Sequence, residues 1–381
     1  MQFTFTDEQE ELRKTMRRFL DEKSPVGEVR RLMETPEGYD EAVWKQMAQE
    51  LGLQALHIPE AYGGQGFTFV ELGIVLEEMG RALLCAPFLS SVCLAANAIL
   101  NAGTEEAKKE LLPGIASGET IATLALAEPN GRWDASGIET IATKDGDAYR
   151  LTGAKRFVID GSTASLIIVA ARLEGTTGED GIGLFAVRGD ADGLTREALT
   201  PLDPTRKQAA LELNSVKATA IGAPGEDWPA LQKTLDQISV LLSAEIVGGA
   251  QRCLDMAVQY AKDRVQFGRP IGQFQAIKHK CADMLLQIES GKTAAYYALW
   301  IAAKDDDELT TVAPMAKAFC SEAFFFSASE NIQIHGGIGF TWEHDAHLYF
   351  RRAKVSEVLL GSPTQHREIV ARHLIDRGST S

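Results

Sequence analysis

The chain has 381 residues, more than one ordinary core accommodates, so two or three structural units are expected. Hydrophobic residues make up 45% and charged residues 24%, the balance of a soluble globular protein, and no apolar run approaches the ~18 residues that span a bilayer. A net charge of -15, from 38 basic and 53 acidic residues, repels a nucleic-acid backbone or an anionic membrane surface and argues against both as main partners.

The opening stretch MQFTFTDEQEELRK lacks the apolar segment of a secretory signal. Five cysteines (Cys85, Cys93, Cys253, Cys281 and Cys320) form no CxxC pair, and most fall in apolar helical patterns. They read as buried thiols in a reducing, cytoplasmic setting. His344, Asp345 and His347 lie close in sequence, but no second group of ligand residues supports a metal site. They are expected to form a polar loop or a helix start.

Taken in order, residues 1–118 read as helical. Thr6 and Gln9 have the spacing of a capping box, and Leu12, Met16, Phe19 and Leu20 then share one helical face. Trp44 to Leu51 is periodic again and stops at Gly52, a third helix covers Glu71 to Leu84, and a fourth covers Glu105 to Leu112, ending before Pro113-Gly114. From 119 to 224 the pattern changes to short β-branched runs. TIATLALA, SLIIVAAR (165–172), GLFAVR (183–188) and AALELNSV (209–216) are separated by Gly, Asp and Thr, which predicts a small antiparallel β-domain. Residues 225–381 return to helical spacing, with helices over Pro229–Arg264, Ala276–Lys304 and Val312–Ile334, and a last one starting at Pro363 and running to about Asp376. The fold class is α+β, with helices, then strands, then helices.

Three segments carry a family resemblance: RVQFGRPIGQFQAIKHKCADM (264–284), NIQIHGGIGFTWEHDAHLYFRRAK (331–354) and, more weakly, LALAEPNGRWDASG (124–137). With the helix–strand–helix order they resemble the acyl-CoA dehydrogenase family over almost the whole chain. The resemblance implies an N-terminal helical domain, a middle β-domain and a C-terminal four-helix bundle. It also implies assembly as dimers or tetramers, with FAD at a subunit interface. The implied reaction removes hydrogens from Cα and Cβ of an acyl-CoA thioester: a carboxylate takes the α-proton, the flavin takes the hydride, and an electron-transfer flavoprotein reoxidises it.

On this resemblance Arg264 meets the flavin pyrophosphate, a planar, permanently charged fork against phosphate oxygens. Gln266 and Phe267 supply a polar contact and aromatic packing, Gln275 lies near the adenosine, and Gln333, Gly336 and Gly337 form a loop whose backbone approaches the cofactor. The half of the site that faces the flavin ring departs from the family. Leu126-Ala127 precedes Glu128-Pro129 where a threonine is usual, and Phe157-Val158-Ile159 replaces a Trp-x-Thr. Arg132-Trp133-Asp134 replaces Gly-Ser-Asp, so Trp133 is a candidate for filling substrate space. The side chains of Phe157 and Ile159 are otherwise expected to pack a strand core.

The usual catalytic glutamate falls on Leu360, and the second position used in the family falls on Ile238. Neither accepts a proton. Asp236 is turned about 200° from Ile238 on a helix. Glu245, on the same face as Ile238, is the surviving candidate base, with an ion pair inside the bundle as the competing role. Glu357, beside Lys354, reads as solvated. Gly248 and Gly249 mark either room for a bulky substrate or close helix packing. Three functional readings stand open: a homomeric dehydrogenase with a relocated base, a base-lacking subunit completed by a paralogue, and a flavin monooxygenase-like relative.

Overall fold

A computed structural model describes residues 5–378. The helices are α1 (Asp7–Lys23), α2 (Val26–Met33), α3 (Glu41–Gln49), α4 (Phe69–Ala82), α5 (Ala96–Ala102), α6 (Glu105–Ala116), α7 (Trp228–Asp263), α8 (Gln275–Lys304), α9 (Leu309–His335), α10 (Ala346–Val358) and α11 (Pro363–Gly378). The strands are β1 (Ala122–Ala125), β2 (Ile141–Asp145), β3 (Ala148–Ile159), β4 (Leu166–Leu173), β5 (Ile182–Arg188), β6 (Leu194–Ala198), β7 (Gln208–Ala220), and a small pair, β8 (Val265–Gln266) and β9 (Arg269–Pro270). The chain divides into two compact units. One comprises residues 1–30, 69–84 and 239–381, and the other residues 31–68 and 85–238.

The first unit is helical. The capping box at its start is present: Gln9 N donates to Thr6 Oγ1 (3.2 Å) and Thr6 N donates to Gln9 Oε1 (3.0 Å). Helix α1 packs on α4 and α4 on α8. In the C-terminal region α8 and α9 pack on each other and on α7, where Gly291 meets Val247 and Gly249 meets Phe324, and α10 and α11 both pack on α9. Close approach sets the spacing of α4 and α7. A Cβ on Gly248 would lie 1.8 Å from the Glu77 carbonyl oxygen, and one on Gly80 would lie 2.0 Å from that of Glu245. Gly249 likewise abuts the Phe324 ring, so the glycine pair serves close packing and leaves no space on these sides of the helix.

The second unit is built on a seven-stranded sheet of order β1-β4-β2-β3-β7-β5, with β6 on β7 and a further β4–β5 pairing that closes a ring. The β2–β3, β3–β7, β4–β5, β5–β7 and β6–β7 pairings are antiparallel as expected, whereas β1 and β2 each meet β4 in parallel. Leu151, Ile167, Val169, Phe185 and Leu211 fill its interior. One expected helix end needs correction here, and one helix lacks a sequence signal. Helix α6 does not stop before Pro113 but runs to Ala116, because burial of Leu112, Ile115 and Ala116 outweighs one missing N–H. Residues 89–102, which show no amphipathic period, form a π-helical turn leading into α5. Nearly every side chain there is buried, so no polar face marks the helix in the sequence.

Candidate functional site

At one end of the helical unit, α7 stops at Asp263 and Arg264 begins a tight hairpin. Val265 pairs with Pro270 and Gln266 with Arg269, which leaves Phe267 and Gly268 at the tip. Phe267 has φ 53° and its ring is 91% exposed. A bulky residue in the left-handed region is strained, and an exposed one is held there by no core packing. Arg264 is exposed and has no ion-pair partner among the described residues, in a chain with an excess of carboxylates. Gln275 opens α8 and is also exposed.

The end of α9 is fastened to this region. The His335 ring stacks on Tyr260 at 4.3 Å, one turn before Arg264, and Lys280 pairs with Glu330. Gln333 is exposed between buried neighbours. Gly336 follows at φ 64°, a conformation that favours glycine, and a Cβ at either Gly336 or Gly337 would meet nothing within 4 Å. An unpaired arginine, two exposed glutamine amides and an open glycine backbone therefore sit at one end of the unit. That donor set suits a phosphate-bearing ligand, so these residues fit the dinucleotide part of a flavin cofactor.

In the β-unit, Leu126 and Ala127 follow β1 and are buried. Their backbone is pinned to β3: Arg156 N donates to Ala127 O (2.8 Å) and Lys155 Nζ to Leu126 O (3.1 Å). Lys155 is wholly buried and pairs with Glu128 at 2.6 Å, while Glu128 also accepts from Glu139 N and Thr140 N. Burial lowers the Lys155 pKa, and the Glu128 carboxylate opposes that shift. The register of β3 slips between Lys155 and Val158. At this bulge Phe157 takes φ 56° and is half exposed, whereas Ile159 is buried. Expecting both to pack a core is thus right for Ile159 and wrong for Phe157, because the bulge turns the aromatic ring outward. The structure brings Leu126, Ala127, Phe157 and Ile159 together through the Lys155 anchor. Trp133 lies in the loop after Glu128 and is partly buried.

Both base positions are apolar and buried. Ile238 is in α7, and Leu360 follows α10 at φ 63°. The turn holding Leu360 sits over Lys317, a buried lysine whose Nζ donates to Ser321 Oγ (3.1 Å), Glu357 O (3.3 Å) and Gly361 O (3.4 Å). Glu245 is buried and engaged by Arg352 at 2.5 Å, itself buried on α10. The ion pair inside the bundle, the competing role for this residue, is thus present. Glu357 pairs with Lys354 (2.9 Å) and is only partly exposed. Asp236, set aside on helical geometry alone, has a carboxyl pushed up to about 7 by burial, opposed only by a hydrogen bond from Gln232. Its sequence neighbours gave no sign of that burial. Asp345 binds Arg30, and His344 Nδ1 accepts from Ala346 N at the start of α10. That segment is a helix start, and among the described residues no group of three metal-ligand side chains occurs. No helix among them is long and apolar enough to cross a membrane. The five cysteines are free thiols, four of them buried.

The acyl-CoA dehydrogenase N-terminal, middle and C-terminal domain models match residues 6–119, 123–216 and 225–375. Acyl-CoA dehydrogenase IpdE2 of Mycolicibacterium smegmatis is 34% identical over 360 residues, covering 94% of this chain and 96% of the relative. Among solved structures, a variant of the Tcur3481–Tcur3483 steroid ACAD superposes with TM-score 0.88 at 31% identity, covering 98% of this chain and 99% of the other. The ChsE4–ChsE5 complex from Mycobacterium tuberculosis superposes with TM-score 0.88 at 28% identity and the same coverage. The chain belongs to the acyl-CoA dehydrogenase family, flavin-dependent oxidoreductases that dehydrogenate acyl-CoA thioesters.

Proposed function

We propose that this chain is the base-lacking subunit of a heteromeric, FAD-dependent acyl-CoA dehydrogenase acting on a bulky, steroid-derived acyl-CoA. A paralogous subunit supplies the catalytic carboxylate, an electron-transfer flavoprotein takes the electrons, and a reducing cytoplasm suits the five free thiols. One observation carries the proposal: buried apolar side chains stand at both base positions, Leu360 and Ile238, while Glu245 is held by Arg352. A thioester α-proton is weakly acidic, and a positioned base is commonly worth ~10²–10⁴ in rate. The relatives named for paired subunits and for a steroid substrate support the partner and the substrate class.

FAD, when bound, supplies the hydride acceptor. The helical unit would hold the dinucleotide part of a flavin carried by the β-unit of a neighbouring subunit: Arg264 would face the pyrophosphate, Gln275 would lie near the adenosine, and Gln333, Gly336 and Gly337 would form the loop whose backbone approaches it. Gln266 and Phe267 complete that end. In the β-unit, the segments holding Leu126, Ala127 and Ile159, buried themselves, and the outward-turned Phe157 ring would lie beside the flavin ring, and Trp133 would narrow the adjoining space.

The experiment is anaerobic mixing of FAD-loaded protein with steroid and straight-chain acyl-CoA thioesters while flavin bleaching is followed. Slow bleaching by this chain alone, made fast by a family paralogue that carries the glutamate, is the expected result. Fast bleaching without any paralogue overturns the proposal. In that event the chain is a homomeric enzyme with a relocated base.

A further inference from the structure

The motif residue His335 has no part in the cofactor contacts assigned above, yet it lies buried between them. It is the last residue of α9, and Gly336 and Gly337 follow directly. One side of its ring stacks on Tyr260 (4.3 Å, 28° between planes), and His344 lies 4.4 Å away at 51°. Its Nδ1 is 2.8 Å from the Asn331 carbonyl, which fixes the ring plane and places the proton on Nδ1. The Cβ of His335 also floors the loop, since a Cβ on Gly339 would come within 2.8 Å of it. Each neighbour is fixed in turn. Tyr260 is one turn before Arg264, whose backbone N–H donates to the Tyr260 carbonyl at 2.8 Å. His344 is held by its bond from Ala346 N and by Arg30, which binds both its carbonyl and Asp345.

From this arrangement the geometry points to the Tyr260–His335–His344 column as the device that positions the cofactor loop, with His335 as its central positioning residue. The column joins the helix end that presents Arg264 to the helix end that presents Gly336 and Gly337, so the two parts of the dinucleotide cradle keep a fixed spacing. The inference rests on the cofactor reading above but not on the missing base. Without the ring, the Gly336–Gly337 segment loses its side support and FAD binding must order it anew. Removing a ring that contacts two others weakens binding by about 10-fold or more.

The test uses the assembly purified from its native host, stripped of flavin and titrated with FAD. The dissociation constant, the visible spectrum of the bound flavin and the melting temperature of the apoprotein are measured. His335→Ala is expected to raise the dissociation constant about 10-fold or more, and His335→Phe, which keeps a planar ring in the stack, to stay within about 3-fold of wild type. Tyr260→Leu is expected to weaken FAD as His335→Ala does, and Tyr260→Phe to leave it unchanged. The bound flavin spectrum should be the same in all, because the ring side of the site is untouched. Tight FAD binding by His335→Ala overturns the positioning role. So does a His335→Phe protein that melts normally but binds as weakly as His335→Ala. A wild-type assembly that takes up no FAD at all overturns the cofactor reading itself.

Discussion

Replacing Glu245 by glutamine separates a structural carboxylate from a catalytic one. The Glu245 and Arg352 side chains are 6% and 3% exposed and meet at 2.5 Å. The Glu245 backbone is also locked, since Gly80 packs directly on its carbonyl. Glu245→Gln therefore leaves a buried guanidinium without this carboxylate. Removing one partner of a buried ion pair costs ~3–5 kcal/mol, whereas replacing both by apolar residues of similar volume is often neutral or better. The expected result is a fall of that size in urea-unfolding free energy for Glu245→Gln, followed by far-UV circular dichroism. The pair Glu245→Met with Arg352→Met should recover most of it. Flavin bleaching by the complete assembly, measured below the unfolding transition, should be little changed. Stability within ~1 kcal/mol of wild type together with lost bleaching would refute the ion-pair argument and return Glu245 to the role of base.

Three further outcomes follow from the same geometry. Arg264→Ala should weaken FAD retention by ~10–100-fold with little change in melting temperature of the apoprotein, because an exposed cation is removed from a phosphate and not from the core; ultrafiltration of bound flavin checks it. Gly248→Ala should destabilise by ~1–3 kcal/mol or more, since its methyl would lie 1.8 Å from the Glu77 carbonyl oxygen; a denaturant melt that matches wild type would show that the α4–α7 approach yields easily. Burial pushes the Lys317 pKa from 10.5 down to about 7. Between those values the unfolded chain holds a proton that the folded chain has lost, so this group makes stability rise with pH, and below about 7 its contribution is flat and at its lowest. Lys317→Met should remove that rise, read as the urea midpoint at pH 6, 7.5 and 9.

The long helices and the capped start of α1 were legible because one apolar stripe at helical spacing is a local signal. What escaped was buried positive charge. Lys155 lies in the interior of β3 and Arg352 in that of α10, and each interrupts the apolar pattern that would have marked its element. Their partners, Glu128 and Glu245, are 27 and 107 positions away, so nothing near them in sequence shows that the charge is paired. The residues proposed to hold the cofactor on the helical unit could be grouped from sequence because they fall in two contiguous segments, 264–275 and 333–337. The outward turn of Phe157 was not, because a bulge depends on the register with β7 and not on the residues of β3 alone. Parallel pairing of β1 and β2 with β4 has no local signature either.

The helical unit is assembled from three separated stretches of chain, and this bears on how the protein is made. Helices α1 and α4 emerge from the ribosome early, but α8, on which α4 packs, follows only after the whole of residues 85–238. From the end of α4 at Ala82 to the start of α8 at Gln275, ordinary synthesis rates make that interval roughly 10–40 s. During it, Glu77 has no Tyr296 to bind, and α4 (Leu72, Val75, Leu76 and Met79 among its buried residues) has α1 beside it and α7 only near the end. The β-unit, whose segments all lie within 31–238, is complete before α8 appears. The nascent chain therefore holds a finished sheet beside two waiting helices, the state in which a chaperone has most to do and in which a premature stop does most harm.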